Sequence, residues 1–175
     1  MKFIISIITL FLLTGCSNND MKPIDFKDQK PRLIIEEYLS GNVKAYGILQ
    51  NRSGKVTRQF TAELNGKWDG KQLILDEKFN WSDGEVQTRQ WQINKIDEHH
   101  YEGTAEDVVG TAKGFSYGPA FKFEYVLLVP VKGREIKITF DDWIFKQDDR
   151  VAINRATMTK FGIQVAELTV VFVKD

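Results

Sequence analysis

The chain has 175 residues, enough for one domain with a hydrophobic core once a leader is removed. Its 24 basic and 24 acidic residues balance, so no net charge draws nucleic acid or an anionic lipid surface to the protein. Cys16 is the only cysteine, which excludes a disulfide within the chain.

The chain begins with the pattern of a lipoprotein leader. Lys2 supplies a positive charge, and residues 3–13 form an apolar run too short to cross a bilayer permanently. The run ends in Leu13-Thr14-Gly15-Cys16, which resembles the lipobox of bacterial lipoproteins, where cleavage precedes a cysteine that becomes acylated. The sequence therefore predicts a signal peptide over residues 1–15 and a lipid anchor on Cys16.

The residue after the cysteine bears on location. Ser17 occupies this position, whereas an aspartate there commonly marks retention in the inner membrane of enteric bacteria. If the cell is Gram-negative, we expect the anchor to hold the protein to the outer membrane on its periplasmic side. Acylation would also consume the only thiol, which removes a cysteine nucleophile.

A polar segment and a short helix precede the strands. Residues 16–31 are rich in Asn, Asp and Lys and predict a flexible tether. Residues 33–39, Leu-Ile-Ile-Glu-Glu-Tyr-Leu, predict two helical turns that end at Ser40-Gly41.

Beyond Gly41, apolar and polar residues alternate, which is typical of half-buried strands. Val56, Phe60 and Leu64 share one face of a strand whose opposite face is polar. Further faces with this period are Leu73-Leu75-Glu77-Phe79-Trp81, Arg89-Trp91-Ile93, Phe121-Phe123-Tyr125-Leu127-Val129, Ile136-Ile138-Phe140 and Val151-Ile153-Arg155, followed by an apolar run over residues 163–173. Turn dipeptides such as Asn65-Gly66 separate the strands, and short connections imply antiparallel neighbours.

The strand count predicts the fold class. About eight to ten strands in residues 32–175 indicate an all-β domain, an antiparallel up-and-down barrel of lipocalin or fatty-acid-binding type. A two-sheet sandwich is the alternative. A membrane-spanning barrel is disfavoured, because the faces opposite the apolar ones carry charged and amide side chains where lipid contact requires apolar ones.

Charged residues interrupt faces that otherwise point inward, and these are the candidate ligand-binding residues. They are Arg58, Glu77, Arg89 and Arg155. A buried charge must be paired or must serve a ligand. The arginines could bind the acidic head group of a fatty acid, with Glu77 orienting one of them, while wall residues such as Trp91 and Tyr125 surround the tail. The competing interpretations are an internal salt bridge, a face misjudged by one residue, and an inward Asp107 that reduces the positive excess.

Two further motifs resemble catalytic or metal-binding patterns, but their sequence context favours ordinary structural roles. Gly114-Phe115-Ser116-Tyr117-Gly118 matches the nucleophile elbow G-x-S-x-G, but the next residues alternate as a strand rather than forming a helix. His99 and His100 are adjacent and would point to opposite sides of a strand, which disfavours a shared metal ion. We expect neither a metal site nor a cofactor.

Several short motifs extend over nearly the whole mature chain. They are Lys44-Ala45-Tyr46-Gly47, Leu75-Asp76-Glu77-Lys78-Phe79 with Asp83-Gly84, Gly103-Thr104-Ala105-Glu106-Asp107-Val108-Val109-Gly110, Phe140-Asp141-Asp142-Trp143, Asn154-Arg155-Ala156 and Lys160-Phe161-Gly162. Together they resemble a family of uncharacterised bacterial lipoproteins, domain of unknown function 3833. The resemblance transfers no catalytic residue, because the family has no established activity.

The combined features predict a non-catalytic lipoprotein that binds or carries a fatty acid or other amphiphile in a barrel cavity. The bilayer is the expected partner, through acylated Cys16, and nucleic acid is not; a protein partner stays open. One alternative is an envelope assembly lipoprotein with a filled barrel. A second is an enzyme acting on lipid, although no catalytic constellation is recognisable.

Overall fold

The computed structural model describes residues 21–131 and 133–175. In these ranges the chain forms ten strands and one short helix, α1 (Ile35–Tyr38). The strands are β1 (Gly41–Asn51), β2 (Val56–Trp68), β3 (Gln72–Trp81), β4 (Val86–Lys95), β5 (His100–Thr104), β6 (Ala112–Tyr117), β7 (Ala120–Val131), β8 (Arg134–Lys146), β9 (Val151–Lys160) and β10 (Ile163–Lys174). No helix within the described ranges is long and apolar enough to cross a membrane.

The strands close into an antiparallel barrel. Each strand pairs with the next one along the chain, and β1 pairs with β10. On β2, Phe60, Ala62 and Leu64 are buried, whereas Thr61 and Glu63 between them are exposed. Burying a large apolar side chain contributes roughly 1.5–3 kcal/mol, so the period-two pattern fixes which face of each strand points inward. The predicted barrel is confirmed, and the sandwich alternative is wrong.

The segment before β1 seals one end of the barrel. Residues Pro23–Phe26 form a 3₁₀ turn, and the Phe26 ring lies 5.3 Å from the ring of Phe145. The backbone N–H of Leu33 donates to the carbonyl of Gly118 at 2.8 Å. Residues predicted to belong to a flexible tether therefore pack on the barrel, while residues 16–20 lie outside the described part.

Helix α1 completes this seal with a single turn rather than the two turns predicted for residues 33–39. Ile35 is fully buried, and the Tyr38 hydroxyl donates to the carbonyl of Arg150 at 3.0 Å. Glu36 is also buried and accepts a hydrogen bond from the Tyr101 hydroxyl at 2.9 Å. These partners lie near strand ends on the same side of the barrel, which we call the sealed end.

The opposite, open end includes the turns that connect β1 to β2, β3 to β4 and β9 to β10. At one of them, Phe161 and Gly162 connect β9 to β10 with φ values of 52° and 75°. Two consecutive positive φ values are typical of a tight hairpin turn that favours Asn-Gly. Phe161 instead presents its ring to solvent, 93% exposed.

The barrel wall is incomplete between β4 and β7 toward the open end. β4 pairs with β5 only over Gln92–Lys95, and β6 pairs with β7 only over Ala120–Glu124. The segment of residues 105–111 fills the interval and bonds to β7, with Leu128 N–H donating to the Asp107 carbonyl at 2.8 Å. Within the described ranges no backbone hydrogen bond joins this segment to residues 86–91 of β4. Side chains must therefore close this part of the wall.

Candidate ligand-binding site in the barrel lumen

The lumen contains a cavity of about 100 Å³. Aromatic rings form much of its wall: the rings of Trp91 and Tyr125 lie 5.3 Å apart, and those of Trp91 and Phe123 lie 5.1 Å apart. Sites for drug-sized ligands typically measure 300–1,000 Å³, whereas an engineered cavity of roughly 150 Å³ holds benzene. The lumen is thus mostly filled with side chains, with room for a small group. Trp91 and Tyr125 do face it, and their binding role stays a prediction.

Arg89 lies in the incomplete part of the wall. Its guanidinium donates from Nε to both Asp107 oxygens at 3.1 Å and from Nη2 to Oδ2 at 2.7 Å. The side chain is only 15% exposed. Such a two-pronged ion pair is among the stronger polar contacts in proteins. It joins β4 to the 105–111 segment where backbone hydrogen bonds do not.

Glu77 lies beside Arg89, and one of its carboxylate oxygens has no hydrogen-bond donor among the described residues. The two residues are directly opposite each other on β3 and β4, and Nη1 of Arg89 is 3.7 Å from Oε2 of Glu77. That oxygen is buried and accepts no hydrogen bond, while the side chain as a whole is 12% exposed. Burial raises the pKa of Glu77 to about 7, although Arg89 opposes the rise. Glu77 is therefore a buried carboxyl with spare accepting capacity.

A second buried carboxyl, Asp142, faces the same cavity from β8. Its Oδ2 accepts from the Tyr125 hydroxyl at 2.9 Å, and its Oδ1 accepts from the Asn154 amide. Burial raises the pKa of Asp142 to about 6, and the hydrogen bonds from Asn154 and Tyr125 partly offset the rise. Both donors are neutral, and among the described residues no cation is in direct contact with this carboxyl.

The polar groups of the lumen form one cluster, which we call the lumen cluster: Glu77, Arg89, Asp107, Tyr125, Asp142 and Asn154. It contains three carboxyl groups and a single guanidinium. Asp107 forms the closest ion pair with the guanidinium, at 2.7 Å. Glu77 lies 3.7 Å from it, and Asp142 accepts a hydrogen bond from the neutral Tyr125 hydroxyl. The electrostatics of the lumen are therefore acidic rather than basic.

Arg58 has the predicted strand face but not the predicted environment. It lies near the open-end terminus of β2, where its guanidinium sits 4.0 Å above the Trp81 ring. Nη2 donates to Asp83 and to Glu85, each at 2.8 Å, in the turn between β3 and β4. The arginine binds the rim of the barrel instead of facing the cavity.

The inward direction predicted for Arg155 is wrong. Its side chain is 67% exposed and pairs with Glu167 at 2.7 Å on the outer surface. The inward face of β9 carries Ala152, Asn154 and Ala156, which are all buried. These small or polar residues pack against the aromatic residues of neighbouring strands, so the more apolar face of β9 points outward.

Ser116 and the histidines lie apart from the lumen cluster. Ser116 is within strand β6, where its hydroxyl donates to the Leu33 carbonyl at 3.0 Å and helps to hold the sealed end. His99 stacks on Tyr117 with ring centroids 4.1 Å apart, and Nδ1 of His100 lies 2.8 Å from the Asp97 carboxylate. In the described ranges no three His, Cys, Asp or Glu side chains are grouped to hold a metal ion.

Sequence reasoning missed Asp142 and Asn154. The alternation Ile136-Ile138-Phe140 continues with Asp142 and Ile144 on the same face, so the signal was present in the sequence. Adjacent aspartates are more typical of a solvated turn than of a lumen-facing strand, which obscures this signal. Asn154 was missed because the wrong face of β9 was taken as inward.

Residues 10–174 match the family model described as "Protein of unknown function (DUF3833)", and the chain belongs to that family. No curated protein matches the sequence.

Two solved structures share the fold. The S-type phycobiliprotein lyase CPES from Guillardia theta has a TM-score of 0.59 and 9% identity, over 80% of this chain and 90% of that chain. A DUF3598-family protein of unknown function from Nostoc punctiforme has a TM-score of 0.62 and 14% identity, over 84% of this chain and 51% of that chain. At such low identities the likeness shows the barrel fold alone.

Proposed function

We propose that this member of the family is a lipid-anchored binding protein of the bacterial envelope that holds a small amphiphile in the barrel lumen. The observation that carries the proposal is the cavity in the barrel lumen, which is lined by aromatic side chains and has ionisable groups at one part of its wall. Ligand sites commonly combine a mostly apolar lining with a few converging polar groups. The fold shared with the phycobiliprotein lyase is compatible with this role, because closed barrels of this size can hold one small ligand.

The cavity volume limits the ligand. At about 100 Å³ the cavity is smaller than the roughly 300–1,000 Å³ that is typical of sites for drug-sized ligands. Phe60, Phe79 and Trp81 pack together on the open-end side, with ring centroids 4.9–6.4 Å apart. We propose that these three rings move aside for an apolar tail, whereas the sealed end stays closed.

A fatty acid requires a cation free to receive its carboxylate. Arg89 already binds Asp107, Arg58 binds two rim carboxylates, and Arg155 is outside the barrel. The expected ligand is therefore an amphiphile whose head group is not a carboxylate.

Direct binding measurements test the proposal. The mature chain, stripped of lipid, should bind members of a C4–C12 alkyl series by calorimetry, and Leu168→Trp should abolish binding by filling the lumen. Thr169→Ser, at the neighbouring outward position of β10, is the matched control and should bind as wild type does. Failure of every amphiphile to bind the folded protein would overturn the proposed function.

The anchor has its own test. Mass spectrometry of the protein from bacterial membranes should show cleavage before Cys16 and added acyl groups, and Cys16→Ser should leave an unacylated protein. Recovery of wild-type protein with an unmodified cysteine would contradict the anchoring part of the proposal.

A further inference from the structure

We propose that the head group of the ligand is a hydrogen-bond-donating cation, such as a primary ammonium, and that Glu77 in the lumen receives it. This inference rests on the proposed function and specifies its ligand class. It reverses the acidic head group expected from the arginines in the sequence.

The first observation is the unmatched oxygen of Glu77. Oε2 is buried, lines the cavity and accepts no hydrogen bond, since the closest Arg89 nitrogen is 3.7 Å away. Leaving a buried acceptor unsatisfied costs about 1–3 kcal/mol. A donor placed in the cavity would supply the missing hydrogen bond.

The second observation is the charge around the cavity. Asp107 binds the only guanidinium of the lumen cluster through two oxygens, so Arg89 has little capacity to neutralise a further anion. Asp142 receives hydrogen bonds only from the neutral donors Tyr125 and Asn154. A carboxylate ligand would add a fourth acidic group to this space. An ammonium would instead pair with Glu77, which has Arg89 only at 3.7 Å, and with Asp142, which accepts hydrogen bonds from neutral donors.

The third observation concerns the charged and titratable groups that surround Glu77 and raise its pKa. Glu77 is faced by Arg89 from β4, Asp107 from the 105–111 segment, Tyr125 from β7 and Asp142 from β8. Burial and the two aspartates raise the pKa of Glu77 to about 7. An ammonium binds the ionised form, so its affinity should increase as the pH rises toward 8, while the amine itself stays protonated.

Ligands of equal chain length with different head groups distinguish the contribution of the head group to affinity from that of the tail. Butyl, hexyl and octyl chains, each as amine, alcohol and carboxylate, are titrated into the lipid-free mature protein at pH 8 and pH 5.5. We expect the amine to bind at least tenfold more tightly than the carboxylate of equal length at pH 8. The affinity for the amine should fall about thirtyfold at pH 5.5, in step with the ionised fraction of Glu77, and that for the alcohol should change little.

Variants identify the residue. Glu77→Gln should lose the preference for amine over alcohol and the pH dependence of amine binding, while binding of the alcohol persists. Glu63→Gln, on the exposed face of β2, should behave as wild type. The pH dependence in wild type tests the inference even if Glu77→Gln does not fold.

The outcomes are distinct. Tighter binding of the carboxylate, or amine binding that Glu77→Gln leaves unchanged, would overturn the cationic head group while the amphiphile-binding function stands. Absence of binding by every compound would overturn both.

Discussion

Replacing Glu77 with Gln should stabilise the protein at alkaline pH. In the folded state burial raises the pKa of Glu77 from 4.5 to about 7. A raised folded-state pKa means that the native state holds the proton more tightly than the unfolded chain. The contribution of Glu77 to stability is therefore greatest below about pH 4.5 and declines as the pH rises toward 7. Gln does not titrate, so Glu77→Gln removes this decline.

The size of the effect follows from the pKa difference. One pKa unit corresponds to about 1.4 kcal/mol, so the ionisation penalty of Glu77 is about 3 kcal/mol at pH 8 and about 1 kcal/mol at pH 5. The advantage of Glu77→Gln over wild type should thus grow by about 2 kcal/mol between these two pH values. Any constant effect of the amide itself cancels in this difference.

Urea denaturation followed by tryptophan fluorescence measures the effect. With typical m-values for small domains, 2 kcal/mol moves the midpoint by roughly 1 M urea. Glu63→Gln is the control for removing a carboxylate from the exposed surface. If the stability curves of Glu77→Gln and wild type run parallel from pH 5 to pH 8, Glu77 does not carry the perturbed ionisation inferred from its burial.

Three smaller predictions concern other parts of the barrel. Arg155→Ala should cost less than about 1 kcal/mol in urea and leave ligand affinity unchanged, because its pair with Glu167 is solvent-exposed; weaker ligand binding would place Arg155 in the site. Phe161→Asn should increase the free energy of unfolding by about 1 kcal/mol and so raise the melting temperature, because Asn tolerates positive φ. A lower melting temperature would show that the Phe161 ring stabilises the fold. Gly103→Ala should cost about 1–3 kcal/mol on thermal denaturation, since its Cβ would lie 2.5 Å from the Phe123 ring; wild-type stability would mean that the ring shifts freely.

The barrel could be predicted because its strands are amphipathic. On β2 and β3 most large apolar residues point inward, with Ile74 as an exception, so alternation places Glu77 and Arg89 correctly on lumen-facing positions. On β9 the rule fails, because Ala152 and Asn154 point inward while Ile153 points outward. Hydropathy measures the preference for burial, but a crowded lumen selects for small size as well.

The candidate site was harder to predict than the fold. Alternation brings Arg89 to the lumen, yet its partner Asp107 comes from an irregular segment whose position no periodicity fixes. The rim acids that bind Arg58 also belong to a turn. Three inward arginines therefore suggested a basic cavity, and the long-range partners supplied by loops make it acidic.

The sealed end has a consequence for how the protein would stand on a membrane. Only residues 17–20 separate Cys16 from Met21, the first described residue, a distance of at most about 18 Å. Strands of up to 13 residues, tilted as barrels require, make the barrel about 30 Å long. An acylated Cys16 would thus keep the plugged base against its own leaflet and aim the mouth at the aqueous compartment. With that orientation, the ligand would be exchanged through the aqueous compartment and not with the bilayer that holds the acyl groups.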